Sequence, residues 1–196
     1  MTSTPWQVAA TFLRLEMPRT WRALSLAEYR TRSVSVGHTG AMELVAEMEA
    51  TRPPGAVFGW IEDLGFYPRW LEIVTRATPR VDPGETRPTW DVDLRGRLGP
   101  VARTKRLRMV RTVHDPGQRV VFERHELDGR SHSPWRLEAE VTPAGSAGAE
   151  AHLRVVLRYE GRFFGPVLER MLGDEIVSAK SRLADLLESD AVPEVG

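Results

Sequence analysis

The order of its periodic segments constrains this chain more than any single motif does. Over Ala41–Ala50, Met42, Leu44, Ala46 and Met48 alternate with Glu43, Glu47 and Glu49, the pattern of a half-buried strand. Pro53 and Pro54 end that strand, and Pro54 suits the first turn of a helix. The first helical stretch, Pro53–Asp63, carries Val57, Phe58, Trp60 and Ile61, with Leu64 beyond and Gly65 as its stop. A second, Pro68–Val74, leads into a strand. Five or six further alternating strands follow without another helix, punctuated at Asp82-Pro83-Gly84, Gly99-Pro100, Asp115-Pro116-Gly117, Asp128-Gly129 and Pro143–Ala149. Short turns between successive strands imply an antiparallel meander.

The closing helix, Pro166–Leu187, aligns Leu168, Leu172, Ile176, Ala179, Leu183 and Leu187 on a stripe widened by Val167, Met171 and Leu186. A stripe that wide must be buried, and only the concave side of a curved sheet offers enough surface. The expected fold is therefore α+β: about six to seven antiparallel strands wrapped around a long C-terminal helix, with two short helices after the first strand. This arrangement tends to leave a cavity between sheet and helix.

Composition narrows the function. The 196 residues carry 27 basic and 27 acidic side chains, a balance that argues against general binding to nucleic acid or anionic membranes. Arginine dominates, since Lys105 and Lys180 are the only lysines. The absence of cysteine excludes disulfides, thiolate catalysis and Cys-bound zinc. No apolar run reaches the ~18 residues of a membrane span, and Met1-Thr2-Ser3-Thr4-Pro5-Trp6 does not open a signal peptide. A cytoplasmic location is expected.

Residues 1–40 differ from the rest, being rich in Ser, Thr and Arg, with Glu16 and Glu28 as their only acids. They are expected to form a poorly ordered or partly helical extension. A transit peptide and a translation start at Met42 are the alternatives. One domain over 41–190 and a tail over 191–196 complete the division.

Three segments carry a family resemblance. Met48-Glu-Ala-Thr-Arg-Pro-Pro-Gly-Ala-Val-Phe58, Asp63-Leu-Gly-Phe-Tyr-Pro-Arg-Trp70 and Tyr159-Glu-Gly-Arg-Phe-Phe-Gly165 resemble the first strand and helix start, the Pro-x-Trp stretch and the last strand-to-helix junction of the SRPBCC or START-like superfamily. The pattern is most similar to its polyketide cyclase/dehydrase and lipid transport type and covers about Ala41–Glu188. The resemblance implies a helix-grip fold with an apolar cavity whose mouth lies near Tyr67 and Trp70. It does not fix one activity, because the fold hosts binders and enzymes.

The candidate ligand-binding residues are Tyr67, Trp70, Trp90, Val92, Leu94, Leu107, Met109, Phe122, Trp135, Leu137, Leu157, Tyr159, Phe164, Leu168, Leu172 and Ile176. Any one of these aromatics serves equally well as ordinary core. Arg106, Arg108, His125 and Tyr159 are the weak catalytic candidates. An inward Arg106 or Arg108 could clamp a carboxylate or polarise a carbonyl, whereas an outward one would pair with Asp91, Asp93, Glu138 or Glu140 on neighbouring strands. The balance favours the outward arrangement. His125 and His132 flank the Asp128-Gly129 turn and could act as acid and base, but an exposed polar hairpin is the simpler account.

No metal-binding spacing, nucleophile elbow or phosphate loop occurs, so no metal or cofactor is expected. The preferred function is binding or transport of a small hydrophobic or amphipathic molecule (lipid, polyketide or quinone-like), oriented by Arg108, Tyr159 and Glu175. The alternatives are a polyketide cyclase/aromatase-like enzyme and a protein-interaction module.

Overall fold

A computed structural model describes residues 41–98, 101–160 and 166–189. The extension over 1–40, the tail over 191–196, the Gly99-Pro100 turn and Phe164 lie outside the described residues, as does the Leu168 side chain. Strand β1 (Ala41–Ala50) is followed by helix α1 (Pro54–Ile61) and a 3-10 segment (Leu64–Arg69). Then come β2 (Val74–Arg80), β3 (Thr89–Leu98), β4 (Val101–Asp115), β5 (Arg119–Arg124), β6 (Trp135–Ala144), β7 (Glu150–Glu160) and helix α2 (Pro166–Glu188). The strands form one antiparallel sheet in the order β1-β7-β6-β5-β4-β3-β2, so α1 and the 3-10 segment carry the chain from one sheet edge to the other.

The expected second helix is displaced and of another kind. Helix α1 stops at Ile61, short of Gly65, and Asp63 adopts an extended conformation. Its Oδ1 accepts from the Gly65 N–H at 2.7 Å and so starts a new 3-10 turn. Pro68, inside that turn, lacks an N–H to continue a helix. The chain leaves as β2 at Val74, where a helical end was expected.

Register sets the inner face. Leu44 lies beside Leu157, Leu157 beside Leu137, and Leu137 beside Phe122, one apolar row across four strands. Val92 faces Leu107 and Trp90 faces Met109 on β3 and β4. Irregularities at Val74/Arg76 and Arg111/Val113 break the ladders, and such bulges bend and twist a sheet. Between β4 and β5 the turn needs a left-handed residue, which Gly117 supplies at φ 77°. Leu172, Ala179, Leu183 and Leu187 of α2 are buried in the same core as the inner face.

Candidate functional site

A cavity of about 150 Å³ lies among β1, the 3-10 segment, β2, β3, β4, β6, β7 and α2. Strand residues Leu44, Ala46, Met48, Val92, Leu94, Leu107, Met109, Leu137, Leu153, Val155 and Leu157 form its sheet side. Leu64, Tyr67, Trp70, Leu71, Ile73 and Val74 close one side, and Leu172, Ile176, Ala179 and Leu183 of α2 another. Trp135 completes the apolar lining, and Glu47 and Lys180 are the charged residues of the described wall.

Eleven of the candidate ligand residues are thus brought together: Tyr67, Trp70, Val92, Leu94, Leu107, Met109, Trp135, Leu137, Leu157, Leu172 and Ile176. Trp90, Phe122 and Tyr159 do not line the cavity. Trp90 and Phe122 pack edge to face with ring centroids 5.5 Å apart, and Tyr67 meets Phe122 at 6.2 Å, so this end of the inner face is filled by its own aromatics. Tyr159 packs against Trp135 at 4.8 Å, and the Lys105 ammonium sits 5.6 Å from the Trp135 ring centroid and 5.7 Å from that of Tyr159. Lining residues missed by the sequence reading include Leu153 and Val155, whose inward alternation was legible, and Lys180, which was notable only as one of two lysines.

The catalytic candidates are not assembled at the cavity. Arg106 and Arg108 alternate with the inward Lys105, Leu107 and Met109 and so project from the opposite face of β4. Arg106 pairs with Asp93 at 2.7 Å. Arg108 is 4% exposed, donates from Nε to Asp82 at 2.8 Å and from Nη1 to the His125 carbonyl at 2.7 Å. It therefore cannot orient a guest in the cavity. Exposed His125 has Glu123 at 3.9 Å, while His132 contacts Asp128 at 2.9 Å and Arg124 at 3.1 Å. Glu175 does not line the cavity; its Oε1 accepts from the Glu72 N–H at 2.7 Å and from Arg182 at 2.6 Å.

Electrostatics leaves the wall mostly neutral. Burial, reinforced by the nearby Asp63 charge, pushes the Tyr67 phenol far above its ordinary range. Tyr67 stays protonated and donates to the Ile61 carbonyl at 3.1 Å. Burial lowers the pKa of Lys180, with Glu47 opposing, and burial followed by Arg124 lowers that of Lys105, with Glu126 opposing. Among the described residues no group of three or more His, Asp and Glu is placed to hold a metal ion, and no helix is long and apolar enough to cross a membrane.

One side of the cavity is fastened by α2. Arg182 donates from Nε to the Trp70 carbonyl at 2.9 Å and pairs with Glu72 at 2.8 Å, next to the Glu72–Glu175 contact. These bonds tie the segment from Trp70 to Ile73, which contributes three wall residues, to the helix.

Residues 41–188 match the family model described as polyketide cyclase / dehydrase and lipid transport. The chain belongs to that family. Solved structures agree on the fold. A START superfamily protein from Mycobacterium smegmatis is 14% identical with a TM-score of 0.57, covering 75% of this chain and 97% of that one. The Zhui aromatase/cyclase from Streptomyces sp. R1128 is 12% identical with a TM-score of 0.55, covering 79% and 99%. The protein TTHA0849 from Thermus thermophilus is 17% identical with a TM-score of 0.57, covering 76% and 99%. At these identities the likeness establishes the helix-grip fold of this family member and not an activity. No curated protein matches the sequence.

Proposed function

We propose that this protein binds a small hydrophobic or amphipathic molecule between its sheet and α2. The observation that carries this reading is a cavity of about 150 Å³ whose described wall is hydrocarbon and aromatic apart from Glu47 and Lys180. Cavities of this order in other proteins stay dry and take guests on the scale of benzene. A substituted ring or a short chain fits that scale better than a two-chained lipid. Such a guest presents roughly 200 Å² of apolar surface, comparable to an aromatic side chain. Its burial is worth about 5 kcal/mol at 25 cal/mol per Å², less the cost of association. That burial alone would correspond to about 0.2 mM, so guests limited to it bind more weakly than this once the association cost is taken off. Lys180 is suited to meet an anionic or polar end of an amphipathic guest.

The enzyme reading has narrower support. Arg106, Arg108 and His125 project elsewhere, and Tyr159 is packed under Trp135, which leaves Glu47 and Lys180 as the titratable groups of the described wall besides Tyr67. Binding without chemistry asks less of this arrangement.

The test is native mass spectrometry of protein purified from its own host, beside an Ala179→Phe variant whose ring grows into the cavity. The wild type is expected to carry a small molecule that the variant lacks, with the variant still folded by its melting curve. A wild type that is always bare, and that neither toluene nor ethylbenzene stabilises against heat, would overturn the reading.

A further inference from the structure

A buried donor normally finds an acceptor. Among the described residues, Nε1 of Trp70, Trp90 and Trp135 and Oγ1 of Thr112 are buried without one. An indole N–H can only donate, and its direction is fixed by the ring. Held away from water with nothing to receive it, it carries its desolvation penalty uncompensated. Two of these three indoles, Trp70 and Trp135, line the cavity, and they are only 6% and 9% exposed. Trp90 is outside the lining, between Phe122 and the Arg111 guanidinium.

The chemistry of the wall narrows what can meet those donors. A hydrocarbon leaves both N–H groups as they are. An alcohol or amine brings a donor of its own into a wall made mostly of carbon. A carbonyl oxygen accepts and brings no donor. Both Nε1 atoms are covered by the packed wall, so meeting that oxygen requires an indole ring to turn toward the cavity it lines.

We infer that Trp70 and Trp135 make this cavity selective for guests bearing a carbonyl-type oxygen over hydrocarbons of the same shape, with at least one of the two indole N–H groups donating to that oxygen. The inference rests on the reading that the cavity takes a small guest, and names the class of guest.

Acetophenone and α-methylstyrene share a shape and differ by C=O against C=CH2. Each is titrated into the full-length protein while the six tryptophan indole N–H resonances are followed by NMR, with W70F, W135F and W90F assigning three of them. Acetophenone is expected to move the Trp70 or Trp135 indole proton downfield, and α-methylstyrene is not. The ratio of ketone to alkene affinity is expected to fall about tenfold in the W70F/W135F double variant and to stay unchanged in W90F. Because the indole shift is read in the wild type, the result survives a variant that folds poorly. Binding of both probes with neither indole shifted, or with the ratio unchanged in a folded double variant, would overturn the inference and leave the cavity reading standing. Binding of neither probe would overturn the cavity reading and this inference with it.

Discussion

Arg106 and Arg108 stand two positions apart on β4 and end in different surroundings. Arg106 keeps 59% of its side chain exposed beside Asp93, whereas Arg108 keeps 5% and is enclosed by Asp82, the His125 carbonyl and Glu85 at 3.7 Å. Neither environment was legible from residue type. Alternation assigned both to one face, but their partners depend on how the β2–β3 and β5–β6 connections fold over that face. The aromatic candidates divide in a similar way: Trp135 lines the cavity, while Phe122 is 0% exposed against Trp90 and Tyr67. Phe122→Ala is expected to cost about 3–5 kcal/mol, because that packed site cannot collapse around the loss. In the same urea titration Arg106→Ala should leave the midpoint nearly unchanged, since an exposed ion pair contributes little.

Among the elements, α2 does two jobs with two faces. Its apolar stripe supplies Leu172, Ile176, Ala179 and Leu183 to the cavity wall, and its polar side holds the Trp70–Ile73 segment through Arg182 and Glu175. The stripe was legible because its spacing follows the helical period. The fastening was not, because Arg182 and Trp70 are 112 positions apart in the chain. Arg182→Ala is expected to cost only about 1 kcal/mol of stability but to speed exchange of a bound aromatic probe several-fold, measured by NMR line shape. Arg182→Lys should restore little of this, because an ammonium cannot span the carbonyl and two carboxylates as the guanidinium fork does. Unchanged exchange in Arg182→Ala would mean that the segment does not limit entry.

For the molecule as a whole, the carboxylates set the response to acid. Arg80, with Arg108, holds Asp82 below the ordinary range, Arg106 does so for Asp93, and His132 for Asp128. Glu85 is brought down to about 2 by Arg87. Burial opposes the effect at Glu138, where Arg119 and Arg136 still lower it. Each folded-state pKa lies below the ordinary value, so the unfolded chain binds protons first as pH falls. The stability from these groups is fully present above about pH 5, beyond the ordinary carboxylate range, and is lost as pH falls through the folded values toward about 2. Melting temperatures recorded from pH 7 to 2 should therefore hold to about pH 5 and then decline. A flat profile down to pH 3 would show that these ion pairs carry no net stability.

The sequence by itself determined the element order, the inward face of most strands, the apolar stripe of α2 and the family, because all of these rest on periodicity and local motif. A period of two names two faces and is silent about depth along the strand. Tertiary structure decided where the inner face is packed solid by Trp90, Phe122 and Tyr67 and where it stays open beside Trp70 and Trp135. It also decided that Arg108 closes an ion cluster on the far side of the sheet while Lys180 borders the cavity. Packing density and hydrogen-bond partners are set by groups brought together from distant parts of the chain, and no local pattern records which those will be.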